Sequence, residues 1–261
     1  MTMPGARFLE FLFIAADGLA AGIKPSQAEK LVAALSQETV FIRSNFTGTA
    51  LTLFGAIERD AATVGRSGTY DLVSVVRGPN EWPVVRRKQK FSGIWLNRDA
   101  IRFRGIPTYY SVQSNRSLSL VADESVLQRY EIGLTNLGFQ PAQPIMEAER
   151  LVFSTALIRL RLANGLFSEA PSGVSFLNEH IFSTRIRLPS NIRTGPYRIE
   201  LYLFRDGALL AREALNFGVR KTGFEAFVYE ASQDQPLVYG GAAVAIAIAL
   251  GWLAGLLFRQ S

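Results

Sequence analysis

The chain has 261 residues, of which 48% are hydrophobic and 19% are charged, a composition that is typical of globular proteins and excludes a disordered one. It contains no cysteine, which excludes disulfides, thiol chemistry and cysteine-based metal sites. The formal net charge is +6, but the basic residues are scattered and no nucleic-acid-binding motif occurs, so we expect no nucleic-acid partner.

The N-terminal residues 1–21 have the order of a secretory signal segment. Arg7 precedes a short apolar stretch, and small residues follow where a signal peptidase would cleave. Glu10 and Asp17 interrupt the apolar stretch, which leaves an ordinary amphipathic helix as the alternative and the cleavage of the segment open.

Short segments rich in Val, Ile, Thr and Phe come next, separated by turn signals of Gly, Asn and Pro. They predict strands at Thr39–Ile42, Ala50–Ile57, Tyr70–Arg77 and Pro83–Lys90, with two or three more within residues 93–112. The basic run Arg86–Lys90 has two interpretations: a charged edge strand that resists pairing with another chain, or a surface that contacts anions or lipid.

Helical spacing replaces the strand pattern in the middle of the chain. Asp123 is a capping residue type ahead of one helix, and Pro144 suits the first turn of a second helix that ends at Asn164–Gly165. The second helix carries apolar residues mostly at spacings of three and four: Ile145, Ala148, Leu151, Val152, Thr155, Ile158 and Leu162. These signals predict a helical insertion at about residues 123–165.

Strands are again predicted in the last third of the soluble part, at Val174–Phe176, Phe182–Leu188, Tyr197–Phe204 and Ala208–Val219. Tyr197 follows a Pro-marked crossing loop and a glycine, the pattern of the tyrosine corner of immunoglobulin-like sandwiches, in which the hydroxyl bonds back to the loop. Its strand is apolar on both faces, and the helices can cover one of them.

We therefore predict a mainly β fold: residues 38–220 form one immunoglobulin-like β-sandwich with the helical insertion. Two separate small β domains are the alternative.

Signals for enzyme chemistry are weak in this sequence. The one histidine, His180, lies between two predicted strands, where a turn residue is expected more than a catalytic base. No nucleophile elbow, phosphate loop, EF-hand loop or dinucleotide fingerprint occurs in the context that it requires. We therefore predict no catalytic, cofactor-binding or metal-binding residues and no enzyme activity.

Residues 238–258 form an uncharged apolar run that is long enough to cross a bilayer as a helix, after a juxtamembrane segment at 221–236. Lys and Arg are missing from residues 222–258, and Arg259 follows the run. The positive-inside rule then predicts a single-pass protein of the cytoplasmic (inner) membrane, with its large domain outside the cytoplasm and its C-terminus inside.

One face of this predicted transmembrane helix is lined by small residues. Ala243, Ala247, Gly251 and Gly255 recur at every fourth position. Small residues let two helices approach closely in lipid, so this face predicts helix packing with a membrane-protein partner or with a second copy of the chain, besides contact with membrane lipid. The alternative is that Gly and Ala are frequent in such spans without a packing role.

Long segments of the chain also carry a family resemblance, among them "YDLVSVVRGP", "VVRRKQKFSGIWLNRDAIRFRGIPTYYSV" and "GVSFLNEHIFSTRIRLPSNIRTGPYRIELYLFRDG". They resemble a family of alphaproteobacterial transmembrane proteins of unassigned function, over nearly the whole chain. The resemblance implies an export signal and a single span near the C-terminus. Because the family has no assigned activity, the resemblance supplies no catalytic residues, and it points to sulfite-exporter-like permeases encoded by neighbouring genes.

Two functions follow as hypotheses. The first is a membrane-tethered binding or assembly module outside the cytoplasm, such as an accessory subunit of a transporter. The second is an extracytoplasmic enzyme of an unrecognised class. The lack of catalytic residue types at recognisable spacing favours the first.

Overall fold

The computed structural model describes residues 29–59, 69–223, 228 and 232–258, so the N-terminal segment 1–21 lies outside the described residues. The described part is mainly β, and it ends in one helix that is long and apolar enough to cross a membrane. The mainly β class and the C-terminal apolar helix that the sequence predicts are both confirmed.

The strands in chain order are β1 (Glu29–Leu35), β2 (Thr39–Ile42), β3 (Gly48–Arg59), β4 (Asp71–Arg77), β5 (Asn80–Glu81), β6 (Val84–Phe91), β7 (Ile94–Arg104), β8 (Ile106–Pro107), β9 (Tyr110–Ser114), β10 (Gln140–Pro141), β11 (Phe167–Ala170), β12 (Val174–Phe176), β13 (Ile181–Pro189), β14 (Gly195–Arg205) and β15 (Ala208–Lys221). The helices are α1 (Leu118–Val121), α2 (Glu124–Arg129), α3 (Glu147–Ala163) and α4 (Pro236–Phe258), with a 3₁₀ turn at Leu134–Asn136.

The first sheet has the strand order β1-β3-β13-β12, and all its pairs are antiparallel. In β3 the buried residues Leu51, Leu53 and Ile57 share one face, because successive side chains of a strand point to opposite faces. Gly55 has no side chain, and the ring of Phe182 on β13 covers its place. Because β3 pairs with β13, strands from both halves of the chain form one sheet.

The second sheet has six strands in the order β11-β9-β4-β14-β15-β2. The outer pairs β11–β9 and β15–β2 are parallel, and the inner pairs are antiparallel. The central strand β14 is apolar on both faces, as its sequence indicates. Ile199 and Leu201 face the first sheet, whereas Tyr202 and Phe204 face away from it, so this sheet has to be covered on both sides.

Two hydrophobic cores result. The core between the two sheets joins residues such as Leu53, Phe182, Leu72, Ile199 and Phe217. The core on the other face of the second sheet joins β4 and β14 to a smaller sheet, β10-β7-β6, and to the helices; it contains Val73, Val75, Ile101, Phe103, Leu127, Phe153, Leu157 and Tyr202. The cover is therefore the β6–β7 hairpin together with the helices, and not the helices alone.

The boundaries differ from the sequence expectation at one end of the domain. The first strand begins at Glu29, ahead of residue 38, and it pairs along its whole length with β3. At the other end β15 ends at Lys221 and α4 begins at Pro236. The domain is thus joined to α4 through residues 222–235.

Candidate functional site

Helix α4 has an apolar surface on all sides. Its 23 residues give a length of about 35 Å at ~1.5 Å per residue, enough for the ~30 Å hydrocarbon core of a bilayer. None of the segment Pro236–Gly255 is buried against the rest of the described chain. The whole circumference of α4 is therefore available to lipid or to another helix.

The four small residues of the sequence analysis lie on this exposed helix. A step of four residues turns a helix by about 40° past a full turn, so Ala243, Ala247, Gly251 and Gly255 form a row that winds slowly around α4. Apart from the adjacent residues and the nearby backbone of α4 itself, a Cβ built on Gly251 or Gly255 meets no atom within 4 Å. The row is thus an open, shallow groove in the helix surface.

Helix α3 packs on the domain with a face that agrees only in part with its predicted apolar row, of which Ile145 and Ile158 lie against the core. Phe153, Ser154 and Leu157 are buried beneath it. By contrast, Leu151 and Val152 are 52% and 54% exposed. The helix therefore carries apolar residues on both sides, one for its own domain and one that faces outwards.

The outward face of α3, which we call the α3 face, consists of Leu151, Val152, Thr155 and Leu162. Its charged neighbours have both signs: Arg150 pairs with Glu147 at the start of the helix. The exposed Arg159 lies on the same side of the helix, so the face is apolar with one basic residue in it. Exposed apolar residues grouped in this way are typical of contact sites on soluble domains. The sequence shows the residues, but spacing alone does not tell which apolar side of a two-sided helix is buried.

The basic run Arg86–Lys90 lies on β6, which among the described strands pairs with β7 alone and is the edge strand of its sheet. The edge-strand interpretation is therefore correct for its position. Arg87 is partly engaged within the domain, because it pairs with Asp99 and lies 5.6 Å from the ring of Phe153. The other basic residues of the run point away from the core.

A cluster of charged residues surrounds Glu200 on β14. Arg77 lies 3.0 Å and Arg198 3.3 Å from its carboxylate, Arg212 also donates to it, and the Tyr202 hydroxyl donates at 3.2 Å. Burial alone would raise the pKa of Glu200, but the hydrogen bond from Arg212 and the charges of Arg77 and Arg212 hold it below its ordinary value. Glu200 is therefore an ionised anchor between three strands and is unsuited to donate a proton at neutral pH.

A second buried pair connects the two sheets. Glu29 on β1 lies 3.1 Å from Arg205 at the end of β14, and the Arg205 guanidinium lies 4.1 Å from the centre of the Tyr70 ring. At another edge Arg116 pairs with the buried Asp71. These contacts join segments that are distant in the sequence, so the buried charges have a structural use.

The one histidine, His180, lies between β12 and β13, where its backbone N–H donates to the side chain of Asn178 at 2.8 Å. Among the described residues no group of three or more His, Asp or Glu side chains could hold a metal ion. The prediction that the chain has no catalytic or cofactor-binding residues stays a prediction.

Comparisons with known proteins add a family. A family model described as "Putative transmembrane protein" matches residues 30–260. No curated protein matches the chain. Among solved structures, the crystal structure of Spo0M, a sporulation control protein from Bacillus subtilis, is similar at 11% identity and a TM-score of 0.29 over 79% of this chain. The chain spans about half of that protein, 55% of its length, and a likeness at this level carries no argument. Because the family match covers the β domain as well as α4, the chain belongs to this alphaproteobacterial family of transmembrane proteins of unknown function.

Proposed function

We propose that this protein is a membrane-anchored binding module, an accessory subunit of a membrane complex such as a transporter. In this proposal α4 crosses the cytoplasmic (inner) membrane once, the β domain lies outside the cytoplasm and the C-terminus lies inside. The charge distribution supports this orientation, because Lys and Arg are missing from residues 222–258 and Arg259 follows α4 directly.

The proposal includes an immunoglobulin-like topology for the domain. In immunoglobulin domains one sheet has the strand order A-B-E-D, and in the other sheet strand F lies between C and G. The order β1-β3-β13-β12 corresponds to the first arrangement, and β14 between β4 and β15 corresponds to the second. The Tyr197 hydroxyl on β14 donates to the carbonyl oxygen of Arg193 at 2.7 Å, as a tyrosine corner requires. Such sandwiches commonly serve as contact modules at cell surfaces.

The α3 face is the observation that carries the binding function. A helix that only closes a domain core needs one apolar side, and α3 has a second one on its outer surface. Leaving Leu151, Val152 and Leu162 in water has no benefit for the fold. Apolar helix faces typically bind in hydrophobic grooves or against another helix, so the occupant that fits is a protein partner.

The test compares the binding of partners by two variants in intact membranes. Leu151→Ser with Val152→Ser removes the centre of the α3 face, and Leu120→Ser changes a somewhat more exposed leucine on α1 as the matched control. Proteins are crosslinked in the membrane, purified through the tagged chain and quantified. Central apolar contacts of an interface are each worth about 1 kcal/mol or more, so the double variant should lose at least tenfold of one specific crosslinked partner.

The control variant should keep that partner at the wild-type level. A set of crosslinked proteins that is the same in wild type and in the α3 double variant would contradict the binding function of this face. Equal membrane abundance and an unchanged circular dichroism spectrum show that a loss comes from the interface and not from unfolding.

A further inference from the structure

The β6–β7 hairpin extends beyond the core of the domain. Its last buried cross-strand pair is Val85 with Ile101. Beyond that pair the strands continue to a two-residue turn at Ser92 and Gly93, which both have positive φ angles of 48° and 85°. Past this point Arg87 still lies against the ring of Phe153, but no apolar side chain of residues 86–100 belongs to either core, although several of them are large.

The end of the hairpin, which we call the tip, is formed by Phe91, Ile94, Trp95 and Leu96. These side chains are 58%, 65%, 65% and 44% exposed. Phe91 pairs with Ile94, and Trp95 is the neighbour of Ile94 on the opposite face, so the tip is apolar on both sides of the ribbon. If only one face of such a ribbon packed onto its own domain, the apolar side chains of the other face would remain in water. Insertion of the tip end-on into an apolar medium removes both faces from water.

Basic residues lie beside and directly behind the tip. Lys90 is paired with Trp95 of the tip, Lys88 lies two pairs further back, and Arg98 lies 5.6 Å from the ring of Phe91. No ion pair engages these three residues within the described part of the chain. Across residues 86–100 there are five basic residues and one acidic residue, a net charge of +4. The tip therefore has an apolar end and a cationic collar.

The spacing matches the depth profile of a membrane surface. At ~3.3 Å per residue the apolar tip is about 10 Å deep, as deep as amphipathic segments reach into the head-group boundary. Lys88 then lies near the level of the lipid phosphates, and the long side chain of Lys90 can extend up to them from beside Trp95. The membrane–water interface also accommodates Trp and Phe well, because it is apolar towards the acyl chains and hydrated towards the head groups.

The base of the hairpin lies at the edge of the domain where both β4 and β15 end. β4 ends at Arg77 and β15 ends at Lys221, and both ends flank the beginning of β14, where Arg198 pairs with Arg77 and Gly195 pairs with Val219. The chain thus leaves the domain towards α4 at the edge from which it also enters the base of the hairpin. The tip lies one strand length beyond that base, about 25 Å at ~3.3 Å per residue. Residues 222–235 can span up to roughly 50 Å ahead of α4, so a bilayer that contains α4 is within reach of the tip.

We propose that the β6–β7 tip inserts into the anionic surface of the membrane that α4 spans, with Lys88, Lys90 and Arg98 against lipid phosphates. The cationic collar selects lipid over a protein groove, and this distinguishes the tip from the α3 face, whose charged neighbours have both signs. The hairpin is then a second membrane contact that fixes the orientation of the domain. The proposal needs α4 in the membrane, but it does not depend on a protein partner at the α3 face.

The test places a fluorescent reporter at the tip of the full-length chain. The chain has three tryptophans, so Trp82→Phe with Trp252→Phe leaves Trp95 as the one emitter. This variant is reconstituted into vesicles of phosphatidylcholine, or of equal parts phosphatidylcholine and phosphatidylglycerol, with acyl chains brominated near the head group. We expect quenching and a blue shift of the Trp95 emission in the anionic vesicles, and much less of both in phosphatidylcholine alone.

Three control variants make the result specific. Trp95→Phe with Trp252→Phe leaves Trp82, which is exposed at the base of the hairpin and should be quenched by aqueous iodide and not by brominated lipid. Adding Lys88→Gln, Lys90→Gln and Arg98→Gln to the Trp95 reporter should lower the docking equilibrium constant on the order of a hundredfold, at about fivefold for each charge near an anionic surface. Arg185→Gln with Arg187→Gln, on the outer face of the first sheet, should leave the quenching unchanged.

Three results would contradict insertion of the tip into an anionic membrane surface. Trp95 emission that iodide quenches in both vesicle types, without quenching by brominated lipid, would show a tip in water. Protection from iodide and from lipid together would show a tip covered by protein, either a second copy or the domain itself. Equal quenching of Trp95 by brominated lipid with and without phosphatidylglycerol would contradict the role of the collar, and with it the proposed anionic surface.

Discussion

Replacing Tyr197 with phenylalanine removes one hydroxyl from the loop that crosses between the sheets. The hydroxyl oxygen lies 2.7 Å from the carbonyl oxygen of Arg193, and the residue is 1% exposed. The ring, which stacks on Phe217 at 5.0 Å between centres, fits in the variant as it does in the wild type. The change therefore isolates the hydrogen bond. A lost bond that leaves a partly buried carbonyl without a partner costs about 1–3 kcal/mol in the free energy of unfolding.

The assay is urea unfolding of the full chain in mild detergent, followed by circular dichroism of the β domain. The midpoint should fall at an unchanged slope with urea, because a change of slope would indicate altered compactness instead of altered stability. Tyr130→Phe is the matched control: its ring lies 5.4 Å from Tyr202, and it should change the free energy of unfolding by less than about 0.5 kcal/mol. A Tyr197→Phe midpoint equal to that of the control would refute the reasoning about the corner.

The Tyr197→Phe variant should also change how the free energy of unfolding depends on pH in alkaline solution. Burial raises the pKa of Tyr197 from 10.0 to about 12, and it raises the pKa values of Tyr109 and Tyr202 to about 12 as well. A folded-state pKa above the unfolded value means that the contribution to stability is complete below pH 10 and is lost as the pH rises towards 12. Each such group lowers the free energy of unfolding by up to about 1.4 kcal/mol per pH unit in that window. Tyr197→Phe should therefore make the loss of stability between pH 10 and 12 less steep.

Three further outcomes are expected. A reporter enzyme that is active only outside the cytoplasm, fused after Gln233 in place of the remaining chain, should be active; activity of a cytoplasmic reporter alone would reverse the topology. Gly251→Leu with Gly255→Leu should weaken crosslinking of α4 to a neighbouring helix about tenfold, roughly 1–2 kcal/mol, at unchanged membrane abundance; unchanged crosslinking would leave α4 as an anchor only. Gly55→Ala should lower the free energy of unfolding by about 1–3 kcal/mol, because its Cβ would overlap the Phe182 ring and lie 2.8 Å from a backbone carbonyl; a wild-type urea midpoint would contradict that packing.

Local patterns were sufficient for most strands of this fold. Val174–Phe176 is observed with the bounds that its sequence predicts, and β4 agrees to within one residue. Strand β1 was not predicted, because "EKLVAAL" consists largely of residues that favour helices and carries no turn signal of its own. Its conformation comes from pairing with β3, a contact between distant segments that a local pattern does not contain.

The surfaces were harder to predict than the strands. Helical spacing identified apolar residues of α3 but not the face that is buried. Phe153 and Leu157 face the core, whereas Leu151 and Val152 face outwards. Which face is buried depends on what the rest of the domain places beneath the helix. For the hairpin tip the signal "FSGIWL" was available: an apolar run across a Ser-Gly turn, directly after a basic run. Its exposure follows only from the length by which β6 and β7 pass the last core residue.

Residues 222–235, which join the domain to α4, also determine the effective concentration of the domain for a partner in the same membrane. Fully extended, they hold the end of β15 within roughly 50 Å of the start of α4. A partner anchored beside α4 in the same membrane therefore meets the domain at an effective concentration on the order of millimolar. At that concentration a contact with a dissociation constant of about 1 mM, worth roughly 4 kcal/mol, is occupied half of the time. The α3 face can thus stay small and still be engaged, and the complex will dissociate once detergent removes the shared bilayer.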